Sequence, residues 1–360
     1  MKTRTFILSL TLAGMLAASL SANACTGITL NSKDSTTIVA RTIEWGGSDL
    51  NSQYVIVPRG YTMRSYTPDG SEGMQFTSRY GYVGLAVEQK EFIAEGINEA
   101  GLSAGLFYFP YYGQYEAYDA EKKDTSIADL QLVSWILGKC ATIDEAIESV
   151  KQVHVIRIDP RASTVHWRFA DPAGRQVVLE IIGGEPKFYE NKLGVLTNSP
   201  GFEWQLTNLN NYVNLYPGSA PTQSLGNVRL ASFGAGSGFL GLPGDITPPS
   251  RFVRAAFYQA TAPRQDDAEK TVLQAFQILN NFDIPVGIEF ADGKVPADIP
   301  SATQWTSATD MKNRIIYFRT MYNSEIRAIN LDPIDFSKVA YQAIPLDNTK
   351  QQPIRAIPIK

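Results

Sequence analysis

Cysteine and histidine are both scarce in this chain of 360 residues, which contains two of each. Two cysteines, Cys25 and Cys140, are far too few for disulfide bonds to stabilise the fold of a protein of this length. A zinc site of the usual type would need nearly every available ligand, including both His154 and His166. Metal catalysis is therefore disfavoured, and we expect neither a metal nor another cofactor.

The chain also lacks a strong charge of either sign and a long hydrophobic run. Its formal net charge is -4, a balance that argues against nucleic acid as a partner. The apolar run at residues 6–20 is shorter than the roughly 20 residues that a spanning helix requires, so no membrane span is predicted. With 44% hydrophobic residues, the chain can bury a large core, and we expect a single domain over residues 25–360.

The first 24 residues have the pattern of a secretory signal peptide. Lys2 and Arg4 form a basic start, residues 6–20 form an apolar core, and the Ala-Asn-Ala sequence at residues 22–24 has the form of a cleavage site. Cleavage there would make Cys25 the first residue of the mature chain. We therefore expect an exported protein, either periplasmic or secreted.

Short runs of apolar and β-branched residues, separated by Gly, Ser and Asp, predict antiparallel strands. In the first hundred residues these runs are 27–30, 36–43, 54–58 and 91–96. Further strands are predicted later in the chain, at residues 163–169, 176–182, 193–196 and 304–328. Strands in blocks and helices in blocks are typical of a layered α+β fold, not of an alternating parallel-sheet fold.

Capping patterns predict four helices between these strands. The expected starts are Ser126 with Asp129 before residues 130–137, Thr142 with Glu145 before a helix to about residue 150, Thr247 with Pro248 before a helix to residue 261, and residues 266–267 before a helix to residue 279. The glycine-rich stretch at residues 234–244 lacks the Lys-Ser/Thr ending of a nucleotide loop, so we interpret it as a structural loop.

A cysteine that directly follows a cleavage site carries two reactive groups, its thiol and the α-amine that cleavage frees. The ordinary pKa of the amine is about 7.7 to 8.0 and that of the thiol about 8.5, so the amine can accept the thiol proton near neutral pH. Cys25 is thus a candidate nucleophile with its own base, and no histidine is needed. Three other interpretations remain: Cys25 is incidental, it pairs with Cys140, or it carries a lipid that would acylate the same amine.

Five segments, taken in chain order, favour the nucleophile. They are CTG at 25–27, ARTIEW at 40–45, GINEAGL at 96–102, LTNSP at 196–200 and LPGDITPPSRF at 242–252. Together they resemble the choloylglycine hydrolase family of bile salt hydrolases and penicillin V acylases over nearly all of the mature chain. The resemblance implies an N-terminal-nucleophile hydrolase fold, with four αββα layers around two stacked antiparallel sheets. Trp45 and the leader look similar to the branch found in two-membraned bacteria.

The resemblance also implies a role for each matching residue. Arg41 would favour the thiolate through its permanent charge. Glu44 stands where the family has Asp and would bind the α-amine through a side chain one methylene longer. Asn198 would donate its side-chain NH2 to the oxyanion, with a backbone N–H near Tyr108 as the second donor. Arg251 would complete the polar surroundings of the nucleophile.

Aromatic residues could line an apolar substrate pocket, although such residues more often belong to a core. The candidates are Trp45, Phe107, Tyr108, Phe109, Tyr111 and Tyr112. His166 matches a strand that carries no chemistry in the family, so we interpret it as structural.

The resemblance leaves the substrate open between two classes of amide. Tyr108 stands where many bile salt hydrolases have Asn and penicillin acylases have Tyr, which favours penicillin V. Residues 208–215 and the Ser/Gly-rich segment after them resemble the assembly loop that accompanies a tetramer in bile salt hydrolases. We therefore expect a homotetramer that hydrolyses glycine- or taurine-conjugated bile salts. Two alternatives are enzymes, a penicillin V acylase and an N-acyl homoserine lactone acylase. A third is a lipid-anchored binding protein that kept the fold and lost catalysis, and the replacement of the family's Asp by Glu44 would be the sign of that loss.

The chemical state of the mature N-terminus distinguishes the enzyme from the lipid-anchored protein. We expect mass spectrometry of the protein purified from an exporting host to find Cys25 as the first residue, with a free α-amine. An acylated Cys25 would contradict the enzymatic interpretation, because an amide nitrogen cannot act as the base.

Overall fold

A computed structural model describes residues 23–158, 163–290, 294–296 and 298–359. Its strands, in chain order, are β1 (Asn23–Asn31), β2 (Thr37–Trp45), β3 (Gln53–Val57), β4 (Thr62–Tyr66), β5 (Glu72–Thr77), β6 (Tyr82–Ala86), β7 (Ile93–Asn98), β8 (Ser103–Tyr108), β9 (Ser126–Ala128), β10 (His154–Ile156), β11 (Val165–Ala170), β12 (Gln176–Ile182), β13 (Glu185–Glu190), β14 (Gln223–Leu225), β15 (Val228–Leu230), β16 (Thr303–Asp310), β17 (Ile315–Thr320), β18 (Asn323–Asn330) and β19 (Gln342–Pro345).

The described residues also form five short α-helices. In chain order they are α1 (Leu132–Lys139), α2 (Ile143–Val150), α3 (Phe202–Asn208), α4 (Pro248–Thr261) and α5 (Ala268–Leu279). Among the described residues, no helix is long and apolar enough to cross a membrane.

Two antiparallel sheets form the centre of the molecule. The first has the strand order β1-β2-β16-β17-β18, and the second has the order β13-β12-β11-β8-β7-β6-β3-β19. The sheets meet where β1 packs on β8, while α4 and α5 cover the first sheet and α1 covers β7 and β8 of the second. These four layers confirm the predicted α+β class and the αββα arrangement.

The central strands are covered on both faces, which explains their composition. All residues of β7 and β16 are buried, as are eight of the nine residues of β2. A strand between a helix layer and a second sheet has no solvent face, so it does not alternate between apolar and polar residues. The peripheral strand β4 does alternate, with every second residue buried.

Three of the four predicted helix starts agree with the structure. The hydroxyl of Thr142 accepts a 3.1 Å hydrogen bond from the Glu145 backbone N–H at the start of α2. Asp267 caps α5 by accepting from the Lys270 backbone N–H at 2.9 Å. Helix α4 begins at Pro248, as predicted.

The Ser126 prediction is wrong, because this serine opens β9 instead of capping a helix. Its hydroxyl donates to the Lys122 carbonyl at 2.9 Å, and its backbone pairs in parallel with His154 of β10. A short 3-10 turn follows at Asp129–Gln131, and α1 begins only at Leu132. The residue that precedes the helix is therefore Gln131, five residues after the predicted cap Ser126.

Candidate active site

A backbone bridge between β1 and the loop after β13 brings two predicted site residues together. Gly27 donates its N–H to the Leu196 carbonyl at 2.7 Å, and Leu196 donates back to the Gly27 carbonyl at 3.1 Å. Residues 193–196, predicted as a strand, contribute only this bridge. The two segments run antiparallel, so Cys25, two residues before Gly27, lies opposite Asn198, two residues after Leu196. The Cys25 N–H donates to Asn198 Oδ1 at 2.9 Å.

The side-chain amide of Asn198 has its orientation fixed by its neighbours. Its Oδ1 receives donors from both the Cys25 N–H and Arg251 Nη2, the latter at 2.7 Å. Its Nδ2 lies 2.7 Å from the Tyr108 carbonyl, which can only accept. One hydrogen of the NH2 group is therefore used, and the second is the one that the predicted oxyanion contact requires.

The Cys25 thiol lies in direct contact with Arg41. Arg41 Nη2 is 2.9 Å from Cys25 Sγ, and the cysteine is only 3% exposed. Burial raises the pKa of the thiol, and the Arg41 guanidinium is the largest influence that lowers it. The negative charge of Glu44 raises this pKa further, whereas the backbone N–H of Tyr108 and the charge of Arg251 lower it. The predicted role of Arg41 thus has a direct geometric basis.

Arg41 itself is held by groups from both sheets. Its Nη1 donates to the carbonyl of Ala94 in β7 at 3.1 Å and to the carbonyl of Leu106 in β8. Its guanidinium carbon lies 4.0 Å from the centre of the Phe107 ring. Its Nη1 is also 3.7 Å from Glu95 Oε2. A fully buried guanidinium cannot lose its charge, so these contacts replace the water that it gives up.

Glu95 and Arg168 complete this buried cluster, and neither was predicted as a site residue from the sequence. Arg168 Nη2 donates to Glu95 Oε1 at 3.0 Å, and the two side chains are almost fully buried. Gly105 faces the carboxylate, and a Cβ there would lie 2.1 Å from Glu95 Oε2. The signal in the sequence was a charged residue within a largely apolar strand, Glu95 in β7 and Arg168 in β11.

Phe107 does not line a substrate pocket, which corrects the prediction. The residue has no exposed surface, and its ring packs against the guanidinium groups of Arg41 and Arg168. Gly27 provides the space for it, since a Cβ at Gly27 would lie 3.0 Å from Phe107 Cζ. Phe109 is also fully buried and stacks on His166.

The other aromatic candidates lie nearer the surface. Tyr111 and Tyr112 are exposed, and Tyr108 and Trp45 are partly buried. The Trp45 ring donates to the Ser48 hydroxyl at 2.9 Å. These four residues stay candidates for a pocket wall.

Arg251 lies where the resemblance placed it. From the first turns of α4, its Nη1 donates to the Cys25 carbonyl and, at 2.8 Å, to Thr26 Oγ1. Its Nη2 donates to Asn198 Oδ1. The side chain is fully buried, so one guanidinium orients both the nucleophile's backbone and the Asn198 amide.

Glu44 lies opposite Ala24, and its predicted contact with the Cys25 nitrogen is not formed in this structure. Its register partner in β1 is Ala24, and the Cys25 nitrogen donates to Asn198 instead. Burial raises the pKa of Glu44 to about 7, although the charge of Arg251 opposes this shift. Its Oε1 is 3.4 Å from the Thr303 hydroxyl, and its Oε2 has no partner among the described residues. The predicted contact with a free α-amine is thus absent while the Ala24–Cys25 peptide bond is intact.

The alternative disulfide is not formed. Both cysteines are free and buried, and the Cys140 sulfur lies 3.5 Å from the Ser149 hydroxyl. The interpretation that pairs Cys25 with Cys140 is therefore wrong.

Comparison with known proteins gives a consistent result. Residues 25–345 match the choloylglycine hydrolase family of linear amide C–N hydrolases. The bile salt hydrolase/transferase of Clostridium perfringens is 31% identical over 314 residues, which cover 86% of this chain and 92% of the relative. The corresponding protein of Lactiplantibacillus plantarum is 32% identical over 316 residues, with coverages of 86% and 92%.

Solved structures show the same fold. A variant of the conjugated bile acid hydrolase from Clostridium perfringens superposes with a TM-score of 0.79 at 28% identity, covering 93% of this chain and 100% of that one. Penicillin V acylase from Agrobacterium tumefaciens gives a TM-score of 0.71 at 23% identity, with coverages of 91% and 93%, a likeness of fold alone. The predicted N-terminal-nucleophile hydrolase fold is confirmed.

Replacing Arg41 by Met should raise the pKa of the Cys25 thiol, because the largest influence that lowers it is lost. The pH at which iodoacetamide alkylates half of Cys25 should then increase, and kcat/KM near pH 7 should fall by at least about tenfold. Arg41→Lys keeps the charge and should shift the profile less. A Cys140→Ser background removes the second thiol, and circular dichroism verifies folding. An alkylation profile unchanged in Arg41→Met would contradict this role.

Proposed function

Because the chain belongs to the choloylglycine hydrolase family of linear amide C–N hydrolases, we propose that it hydrolyses the amide bond of glycine- or taurine-conjugated bile salts. The observation that carries the proposal is the similarity to the bile salt hydrolase/transferase of Clostridium perfringens over 86% of the chain. The arrangement of Cys25, Arg41, Asn198 and Arg251 supports amide hydrolysis at this position.

The proposed reaction begins with attack of the Cys25 thiolate on the carbonyl carbon of the substrate amide, which forms a C–S bond. The second hydrogen of the Asn198 NH2 group and the Tyr108 backbone N–H stabilise the resulting oxyanion. The free α-ammonium of Cys25 donates its proton to the leaving amine as the C–N bond breaks. A water molecule, deprotonated by the same α-amine, then releases the bile acid from the acyl-enzyme and restores the thiol.

This mechanism requires a free amine, so we propose that residues 1–24 are an export signal that is removed. The family match begins at residue 25, which supports the predicted start of the mature chain. Ala24 and Cys25 are only 5% and 3% exposed and lie inside β1, so cleavage must precede the pairing of β1 with β2. Removal of Ala24 would place the new ammonium beside Glu44, and its positive charge would lower the raised pKa of that carboxyl. The active protein would accordingly be periplasmic or secreted.

The substrate proposal is tested by comparing two kinds of amide with the mature enzyme. We expect cholate release from glycocholate or taurocholate, followed by liquid chromatography, to have a higher kcat/KM than release of phenoxyacetate from penicillin V. Cys25→Ala should abolish both reactions, whereas Cys140→Ala, at the other buried cysteine, should preserve them. Faster turnover of penicillin V, which the tyrosine at position 108 favours, would contradict the bile salt proposal and support the alternative.

We further propose that the protein assembles as a homotetramer through the segment after α3. The hairpin of β14 and β15 is exposed along its whole length, and its neighbourhood presents several large apolar side chains to solvent, namely Leu225, Val228, Leu230, Phe233 and Leu240. A two-stranded hairpin is at best marginally stable in water, and an exposed apolar cluster indicates an interaction site. The resemblance of residues 208–215 to an assembly loop supports the same conclusion.

Light scattering coupled to gel filtration is expected to give the mass of a tetramer for the mature protein. The double variant Leu225→Ser/Phe233→Ser should lower this mass, because it removes two large apolar side chains from the proposed interface. Ile354→Ser/Ile357→Ser, at exposed positions of the C-terminal tail, serves as the matched control. A monomeric wild-type protein would refute this assembly.

A further inference from the structure

A buried pair of titratable residues, His166 and Glu180, is not used by the proposed reaction. His166 lies on β11 and Glu180 on β12, and their side chains are 0% and 1% exposed. The imidazole Nδ1 is 3.2 Å from Glu180 Oε1. Burying such a pair costs free energy unless other groups satisfy its hydrogen bonds. The groups that do so here show which part of the chain the pair holds.

The hydrogen-bond partners of the pair fix the position of at least one hydrogen. His166 Nε2 lies 3.1 Å from the Thr197 carbonyl, which can only accept, so Nε2 carries a hydrogen and donates it. Glu180 Oε1 accepts from the backbone N–H of Phe202 at 2.9 Å. The pair therefore contacts both ends of residues 197–202.

The segment between these two contacts carries Asn198 and is held by side-chain hydrogen bonds, among them one from Gln205 Nε2 to the Asn198 carbonyl at 3.3 Å. Residues 197–201 belong to no helix or strand, so no ladder of backbone hydrogen bonds fixes them. Thr197 directly precedes Asn198, whose amide touches the Cys25 nitrogen. The imidazole plane is itself fixed, because Phe109 stacks on it with the ring centres 4.4 Å apart and an angle of 6°.

We infer that His166 and Glu180 are positioning residues that fix the backbone on either side of Asn198, whose amide Arg251 and Tyr108 contact directly. We call the pair the Asn198 clamp. It acts through the Thr197 carbonyl and the Phe202 N–H, and it touches no reacting atom. The inference rests on amide hydrolysis at Cys25 and is independent of the acyl group, so any amide that the wild-type enzyme cleaves can report on it.

The test removes the clamp while it keeps the packing. In His166→Phe/Glu180→Gln, the phenyl ring can still stack on Phe109 and the glutamine can still accept from the Phe202 N–H, but the Thr197 carbonyl loses its donor. We expect kcat to fall about 10²-fold, the cost typical of a displaced catalytic group, and KM to change by less than about threefold because Asn198 acts on the transition state. Glu180→Gln alone keeps the histidine donor and should lose much less activity.

The chain offers a matched control in its other histidine. His154 and Glu116 form the same kind of pair at the surface, with Nδ1 2.6 Å from Oε2 and side chains 32% and 43% exposed. His154→Phe/Glu116→Gln should leave kcat and KM unchanged. A comparable loss of activity in this control would show that the effect is not specific to the clamp and would overturn the inference.

A double-mutant cycle with Asn198→Ala separates positioning from a general loss of stability. If the clamp acts through Asn198, its removal should cost little once that amide is absent, so the two effects on kcat are not additive. Additive effects would overturn the inference.

A second measurement needs no substrate. In protein labelled with 15N-asparagine, the Asn198 side-chain NH2 signals should shift in the clamp variant and stay in place in the control. Unmoved signals would refute the clamp, whereas a wild-type enzyme that cleaves no amide would refute the proposed function.

Discussion

The contact between the Arg41 guanidinium and the Cys25 thiol is the interaction on which the rest of the structure depends. Arginine stays charged at every accessible pH, so a fully buried guanidinium requires acceptors on all sides. Those acceptors come from Ala94 and Leu106, which belong to the second sheet, while Arg41 itself belongs to the first. The same cation therefore joins the two sheets and lowers the pKa of the nucleophile.

The charged cluster between the two sheets favours the thiolate form of Cys25, although burial raises the pKa of the thiol. Arg41 of the first sheet and Arg168 of the second face one carboxylate, Glu95, so these three residues carry one excess positive charge. A thiolate at Cys25 neutralises that excess at a contact of 2.9 Å. The Phe107 ring centre lies 4.0 Å from the guanidinium carbon of Arg41 and 5.4 Å from that of Arg168, so the ring attracts both cations.

Local sequence patterns predicted the α+β class, most of the strands and three helix starts, because each depends on nearby residues, whereas the order of the four layers was implied by the family resemblance. The resemblance placed Arg41 and Asn198 correctly near the nucleophile. Glu95 was missed because its partners lie on other strands, and only the register of the second sheet brings them together. Phe107 was misplaced for the same reason, since no local pattern shows which face of a doubly covered strand meets a guanidinium. The helix cap predicted at Ser126 was wrong because the Ser126 hydroxyl donates to the Lys122 carbonyl, four residues earlier in the chain.

If residues 1–24 are removed as proposed, the position of the Ala24–Cys25 bond sets the order of events. Both residues are almost fully buried and lie in a strand that pairs with β2. A copy that folded before cleavage would keep an amide where the proposed base should be. Under the proposal, a molecule would become active only if cleavage came before the pairing of these two strands.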